Sequence, residues 1–350
     1  METIGCQMNV CDSDAISETL ISRGWVKVGS LQDADVAVLN TCSVRAQAEQ
    51  KAFSWLGRAS EFKEKNPGLK IAVVGCMAER IAAKIKKRFK KVDLIVGAKE
   101  INSAAEKISA LAGSKAHSAK ISSSAPSSDI SYVTIMRGCD NFCSYCVVPF
   151  VRGHEISLDC KDIVESCRKA SGNGAKEIML LGQNVNSYKY GDMTFAGLLK
   201  EIAKIESVEA ITFMTSHPKD LSDELIDEMA AEPKIKKYIH LPLQSGSDKI
   251  LEAMNRKYSY GHYKSLIEKL RSKIPDINIT TDIIVGFPGE TEEDFNETLR
   301  AVKDIKFNAM YVFKYSTRPN TKAAEIKDDV TLHEKKRRHS LILEEAKLNK

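Results

Sequence analysis

Cys139, Cys143 and Cys146 fall within eight residues, Cys139-Asp140-Asn141-Phe142-Cys143-Ser144-Tyr145-Cys146, a C-x3-C-x2-C run. Thiolates ligate zinc or iron–sulfur clusters, and both ordinarily want four protein ligands. Three thiolates in one short loop hold three irons of a four-iron cluster. The fourth iron is then open to an outside ligand, which is what an iron-based catalyst needs. Two other readings stay open at this point: a structural zinc that recruits His154 as fourth ligand, and cysteines used as small hydrophobes.

A second trio is dispersed. Cys6, Cys42 and Cys76 each end an apolar run, "METIGC", "VAVLNTC" and "IAVVGC". If those runs are parallel strands of one open sheet, their C-terminal ends share the edge where such sheets bind ligands. Three thiols far apart in sequence then converge. Buried structural cysteine is the competing reading for each. Cys11, Cys160 and Cys167 fall on expected helices and read as structural. Nine cysteines is an odd count, which in a reducing compartment speaks against a disulfide framework and for metal or redox use.

The elements that must position these residues follow from periodicity. Up to about residue 112, short apolar runs (Met1–Ile4, Val36–Leu39, Ile71–Val74, Val92–Val96) alternate with helix-like stretches (Ser13–Arg23, Gln47–Lys65, Glu79–Phe89). That rhythm means a parallel sheet with helices on its faces. Residues 113–131, rich in Ser, Ala and Lys, read as a linker. From 132 to 331 six strand candidates follow: Tyr132–Met136, Glu177–Leu181, Ala210–Met214, Tyr238–Leu243, Asn278–Val285 and Ala309–Tyr315. Helical segments near Asp159–Ser171, Phe195–Ile205, Leu221–Ala231, His262–Ser272 and Glu292–Ile305 separate them. Six strand–helix units fall short of the eight of a closed barrel, so an open, partial (β/α)6 barrel is expected, with its site at the strands' C-terminal ends. Residues 332–350 read as one charged helix. The fold class is α/β throughout.

The chain has 350 residues, 43% hydrophobic and 28% charged, an ordinary globular composition of a length suited to two domains. No apolar run of about 18 residues exists, and the start has neither a basic leader nor an apolar signal stretch. A cytoplasmic protein with no membrane association is expected. The net charge of +5 permits an anionic partner without demanding one. Lys84–Lys91 (KIKKRFKK) and Lys335–Arg338 (KKRR) are basic runs that read either as phosphate contacts or as solvated helix faces.

With Tyr145 just before its last cysteine, the C-x3-C-x2-C run resembles that of the radical S-adenosylmethionine (SAM) enzymes. The stretches "GCQMN", "MRGCDNFCSYCVVPFVR", "LLGQNVNSY", "HLPLQSGSD", "DIIVGFPGET" and "YSTRPNTKAA" narrow the likeness. Together they resemble the bacterial tRNA methylthiotransferases that act on isopentenylated adenosine beside the anticodon, nearly from end to end. In such enzymes the open iron binds the amino and carboxylate groups of SAM. The cluster then donates an electron that breaks a carbon–sulfur bond and releases a 5′-deoxyadenosyl radical. The resemblance implies an N-terminal domain of the methylthiotransferase type over residues 1–112 and a radical SAM barrel over 132–331. It also implies two 4Fe-4S clusters, one on Cys139, Cys143 and Cys146, and an auxiliary one on Cys6, Cys42 and Cys76 that supplies or carries sulfur. One SAM methylates sulfur at the auxiliary cluster, and a second drives insertion of the methylthio group at carbon 2 of adenine. The implied partners are the tRNA anticodon stem-loop and an electron donor such as flavodoxin or ferredoxin, with the chain acting as a monomer.

The same resemblance suggests cofactor contacts. Tyr145 would be an apolar wall near the adenine. Gly182, Gln183 and Asn184 end the second barrel strand, where the superfamily commonly has Gly-Gly-Glu; Gln183 offers an amide instead of a charge. Gln244 and Ser245 would face ribose or substrate, and Asp282 and Val285 ribose and adenine. An ordinary strand end competes with each. Asn320 stands where the family tends to have glycine, a tolerable swap because Asn accepts left-handed backbone angles. The family usually carries a TRAM-type β-barrel after the radical SAM barrel. This chain ends at Lys350, so absence of that domain and weak tRNA affinity are expected. Rival activities are methylthiolation of threonylcarbamoyladenosine in tRNA or of a ribosomal-protein aspartate, and a non-catalytic metal- or RNA-binding role.

Overall fold

Ala37, Leu39, Ile71 and Val73 pack to one side of a four-stranded parallel sheet, and Val38, Ala72, Val74 and Val96 to the other. Burial on both faces is why these strands read as continuous apolar runs. The computed structural model describes residues 1–43, 46–112 and 129–348. They form two units, one built on residues 1–112 with Phe150–Gly153, the other on 129–149 with His154 onward.

In the first unit the strands β1 (Glu2–Ile4), β2 (Val36–Thr41), β3 (Lys70–Gly75) and β4 (Leu94–Gly97) lie in sequence order. Leu56 and Ala59 of helix α2 (Ala46–Lys65) and Met77 and Ile85 of α3 (Cys76–Arg88) cover one face. Ile16 and Leu20 of α1 (Gln7–Ser22) and Ile108 of α4 (Ala104–Ala112) cover the other. Two helix starts differ by three residues or more from expectation. Helix α1 begins at Gln7 rather than Ser13, because Asn9 Oδ1 accepts from Cys6 N at 3.3 Å and closes the first turn. Helix α3 begins at Cys76 itself rather than Glu79, directly off β3.

The second unit has the six expected barrel strands. They form two parallel ladders, Ile130–Thr134 with Glu177–Leu181 and Ala210–Phe213, then Tyr238–His240 with Asn278–Val285 and Ala309–Lys314. An isolated parallel bridge from Ile211 to Ile235 ties the first ladder to the segment that leads into Tyr238–His240. Among the described residues no ladder links the first strand to the last, so the barrel is open. Ile279, Ile283 and Val285 pack with Tyr263, Leu270, Phe295 and Val302 of the covering helices. The expected linker lies mostly outside the described residues. Its last residues are strand instead, because Ile130 and Ser131 pair with Glu177 and Ile178. The short helix Asp248–Ala253 here, the helix Val148–Arg152, whose last residues group with the first unit, and α4 of the first unit are additions to the expected set. Asn320 takes φ +69°, the left-handed conformation expected of it. The last helix, Leu332–Leu348, buries Lys335, Arg338 and Ile342 and is not merely a charged surface.

Candidate cofactor and metal-ligating sites

Sheet register brings the dispersed cysteines of the first unit to one edge. Ile4 pairs with Thr41, and Thr41 with Gly75. Cys42 and Cys76 therefore leave their strands at the same level, and Cys6 lies two residues beyond Ile4. Cys42 N donates to Ile4 O at 3.0 Å, and the Cys42 thiol is in hydrogen-bond contact with Cys6. That contact is the main reason the Cys6 thiol falls to about 6, against the opposing effect of burial. Cys6 also caps α1, where helix N-terminal amides favour a thiolate. Burial pushes Cys76 up, partly offset by the charge of Arg152.

Two buried amides behind this edge were not singled out from sequence. Asn9 Nδ2 donates to Asn40 Oδ1 at 2.9 Å, and Asn40 Nδ2 returns a bond to Asn9 O at 2.9 Å. Their signal was polar residues inside apolar runs, the Asn of "LNTC" and of "CQMN". Gly75 takes φ +96°, and a Cβ there would meet Asn40 Oδ1 and stand 2.6 Å from Thr41 O. Glycine is therefore required just before Cys76.

In the second unit the loop of Cys139, Cys143 and Cys146 follows the first barrel strand and is fixed from three sides. Ser144 N donates to Met254 O at 3.0 Å and Ser144 Oγ to Ala253 O at 2.8 Å. Asn255 Nδ2 donates to Phe142 O at 2.9 Å, and Ala323 N to Ser144 O at 2.8 Å. Arg256, buried, donates from Nη1 to Cys143 Sγ at 3.3 Å and from Nη2 to Pro242 O at 3.2 Å. Asn255 and Arg256 went unnoticed in the sequence because their "MNRKY" sits outside any cysteine run. Burial raises Cys139 and pushes Cys146 up to about 12, with neighbouring Cys143 adding to both. Thiols so held release protons when they take up metal. His154, the alternative zinc ligand, instead bonds Asp140 Oδ1 through Nδ1 at 2.8 Å. Among the described residues neither trio forms a ligand set for a single metal ion.

The strands' C-terminal ends next to this loop carry buried polar atoms with no partner among the described residues: Asn184 Oδ1, Ser216 Oγ, His217 Nε2 and Gln244 Oε1. Buried polar atoms are normally satisfied, so orphans following three successive strands fit a polar ligand bound there. Gln244 adopts φ +71°, and the His217 ring lies 5.6 Å from that of Tyr258, which hydrogen-bonds Arg256. Burial lowers His217 to about 2, with Arg256 and Lys219 adding, so its imidazole is neutral. Ser216 and His217 were not among the expected site residues; "TSHP" after a barrel strand was the available signal.

The remaining expected residues divide. Gln183 Oε1 accepts from Gly138 N at 2.6 Å, holding the start of the cysteine loop. Gly182 packs against Met136. Tyr145 is half-buried and packs against the buried cluster of Ile250, Met254, Phe287, Tyr315 and Ala323, and burial holds its phenol well above the usual range. Asp282 Oδ2 stands 3.5 Å from His240 Nε2. Ser245 differs from expectation: its fully buried hydroxyl bonds Thr298 Oγ1 at 3.1 Å and accepts from Ser247 N at 3.2 Å. Val285, fully buried, packs into the barrel core with its side chain. Of the other cysteines, Cys167 is buried and Cys11 and Cys160 half-buried on their helices.

The two basic runs behave differently. Lys335 Nζ bonds Asp328 Oδ1 at 2.7 Å, Arg337 bonds Glu292 at 2.6 Å, and Arg338 bonds Glu290 at 2.7 Å. Acidic partners brought from elsewhere in the chain thus occupy three of the four, and the run is neither a free phosphate grip nor a plainly solvated face. In the other run Arg88 lies over the Phe53 ring at 4.9 Å, and Lys86, Lys87 and Lys90 are exposed.

Residues 133–302 match the radical SAM superfamily, and residues 1–97 the uncharacterized protein family UPF0004. The tRNA-2-methylthio-N(6)-dimethylallyladenosine synthase of Endomicrobium trichonymphae is 61% identical over 346 residues, covering 99% of this chain and 83% of that protein. The synthase of the same name from Geobacter sulfurreducens is 43% identical, covering 97% of this chain and 79% of its own length. Among solved structures, the radical SAM methyltransferase TsrM of Kitasatospora setae, with cobalamin and a 4Fe-4S cluster bound, has a TM-score of 0.67 at 14% identity. It aligns with 89% of this chain and 73% of its own, a likeness of fold. Whole-chain identity of this order, on a radical SAM barrel whose cysteine loop is braced by its neighbours, makes the chain a member of the tRNA-2-methylthio-N(6)-dimethylallyladenosine synthase family.

Proposed function

We infer that the chain adds a methylthio group to carbon 2 of N6-isopentenyladenosine beside the anticodon of tRNA, using SAM and two 4Fe-4S clusters. The observation that carries the two-cluster reading is the sheet register that sets Cys42 and Cys76 at one level beside Cys6. Cys139, Cys143 and Cys146 hold the SAM-binding cluster, and Cys6, Cys42 and Cys76 the auxiliary one. When bound, SAM and its cluster supply the radical needed at a carbon–hydrogen bond too unreactive for acid–base chemistry.

The chain's own residues do the rest. Asn184, Ser216, His217 and Gln244 offer the unpartnered polar atoms that orient the cofactor. The neutral His217 brings no charge into the site. Gln183, Asn255 and Arg256 hold the cysteine loop to the barrel rim. Tyr145 gives the cofactor an apolar wall. The reaction calls for a low-potential electron donor such as flavodoxin or ferredoxin and for a cytoplasmic location. Among the described residues no helix is long and apolar enough to cross a membrane.

The test is anaerobic reconstitution of three proteins. Changing Cys139, Cys143 and Cys146 to Ala removes about half the iron and abolishes SAM cleavage. Changing Cys6, Cys42 and Cys76 to Ala removes the other half and leaves cleavage intact. Full iron in the second variant refutes the auxiliary cluster. Mass spectrometry of tRNA nucleosides from a deletion strain, with and without the chain, checks the substrate. Restoration of a methylthiolated threonylcarbamoyladenosine in place of the isopentenyl product would overturn that assignment.

A further inference from the structure

Arg152 follows Cys146 by six residues, yet Phe150–Gly153 belong to the first unit, with the dispersed cysteines. Its side chain is 5% exposed and donates from Nη2 to Asp12 Oδ2 at 3.1 Å; the Asp12 side chain is fully buried on α1. The guanidinium also hydrogen-bonds the Cys76 side chain and lies near enough to Cys6 to act on it electrostatically. A buried arginine is costly unless its charge is paired and its donors are used. Asp12 supplies the charge and fixes one side of the planar fork, leaving other donors directed at sulfur. Gly153, at φ +81°, lets the chain turn away immediately afterwards.

Iron–sulfur potentials depend on net charge and on hydrogen bonds to the sulfurs. Outer groups that orient metal ligands tune the metal as well. We propose that Arg152 is the positioning residue of the Cys6, Cys42 and Cys76 site: held by Asp12, its guanidinium donates to the Cys76 sulfur, orients it, and favours the reduced state of the cluster bound there. This rests on the reading that these cysteines hold the auxiliary cluster. A plain staple between Arg152 and Asp12 would secure the segment 150–153 and nothing more.

The experiment uses the full chain with Cys139, Cys143 and Cys146 changed to Ala, so that only the auxiliary cluster loads. Iron and sulfide content and an EPR-monitored redox titration are compared for this parent and for its Arg152→Lys, Arg152→Gln and Asp12→Asn/Arg152→Gln derivatives. Arg152→Gln should lower the midpoint potential and change the EPR line shape. Arg152→Lys, which keeps the charge, should stay nearer the parent. The double variant should recover part of the shift, because the negative charge of Asp12 is gone, and still lie below the parent. A staple predicts instead that Arg152→Gln loses iron and that the double variant regains both iron and the parental potential; that result overturns the proposal. Should Arg152→Gln fail to fold, the Lys and double variants decide the matter. A parent without iron or sulfide removes the auxiliary-cluster reading itself, which is separable from an iron-loaded parent whose potential ignores Arg152.

Discussion

Replacing Arg338 with Met should destabilise the second unit, because Glu290 depends on it. Arg338 Nη1 donates to Glu290 Oε2 at 2.7 Å and to Glu290 O at 2.9 Å, and Glu290 Oε2 also accepts from Gly286 N at 2.6 Å. The two side chains are 6% and 0% exposed. Breaking one half of a buried pair leaves an uncompensated charge and costs about 3–5 kcal/mol. For a unit of this size each kcal/mol is roughly 2–4 °C, so the melting temperature should fall by on the order of 10 °C. The loss should depend on pH. Burial already raises Glu290, against the lowering effect of Arg338. Without Arg338 its folded pKa rises further, so stability is retained at low pH and lost as pH rises through that value. The deficit should therefore be larger at pH 8 than at pH 5.5. Glu290→Gln/Arg338→Met should recover most of it, since the amide oxygen still accepts from Gly286 N. Lys336→Ala, at an exposed position in the same run, should stay within about 0.5 kcal/mol. Anaerobic calorimetry reads all of these. An unchanged melting temperature in Arg338→Met, together with a tRNA-binding salt slope reduced by about 0.7–0.9, would refute the reasoning and make Arg338 a phosphate contact.

Two further outcomes are expected. Gly75→Ala forces a side chain onto φ +96° against Thr41 O and Asn40, and should cost about 2 kcal/mol or more. Denaturant unfolding and auxiliary iron content measure it, and a parental midpoint with full iron would contradict the strain argument. His217, lowered to about 2 by burial and two nearby cations, is neutral when folded but binds a proton below about 6.5 when unfolded. Its contribution is therefore full above that pH and falls by about 1.4 kcal/mol per unit below it. Urea unfolding at pH 7.5 and 5.5 should show this dependence and show it weakened in His217→Phe; equal dependence in both proteins would show that His217 titrates normally.

Much of the fold was legible because its signals are local. Burial on both faces gave β2 and β3 their apolar runs, and the strands Glu177–Leu181 and Asn278–Val285 and the helix Glu292–Ile305 begin and end where periodicity placed them. Several helix starts were not legible. Cys6 and Cys76 look like loop residues until a cap and a left-handed glycine place helices directly on them, and Asp248–Ala253 is too short to show a period. Composition could not separate the two basic runs. The carboxylates that answer Lys335 and Arg338 lie 7 and 48 residues earlier, and only folding brings Glu290 to Arg338.

The same division holds for the sites. The identity and spacing of the cysteines determine the ligand chemistry, because softness and charge belong to the residue type. Sequence alone also bounds the loop of Cys139, Cys143 and Cys146, since eight residues limit how far three thiols can separate. What surrounds those thiols belongs to tertiary structure: Arg256 reaches Cys143 across 113 residues, Arg152 reaches Asp12 across 140, and Ser245 turns inward to Thr298. Side-chain hydrogen bonds depend on approach to within about 3 Å, and distance along the chain carries no record of it.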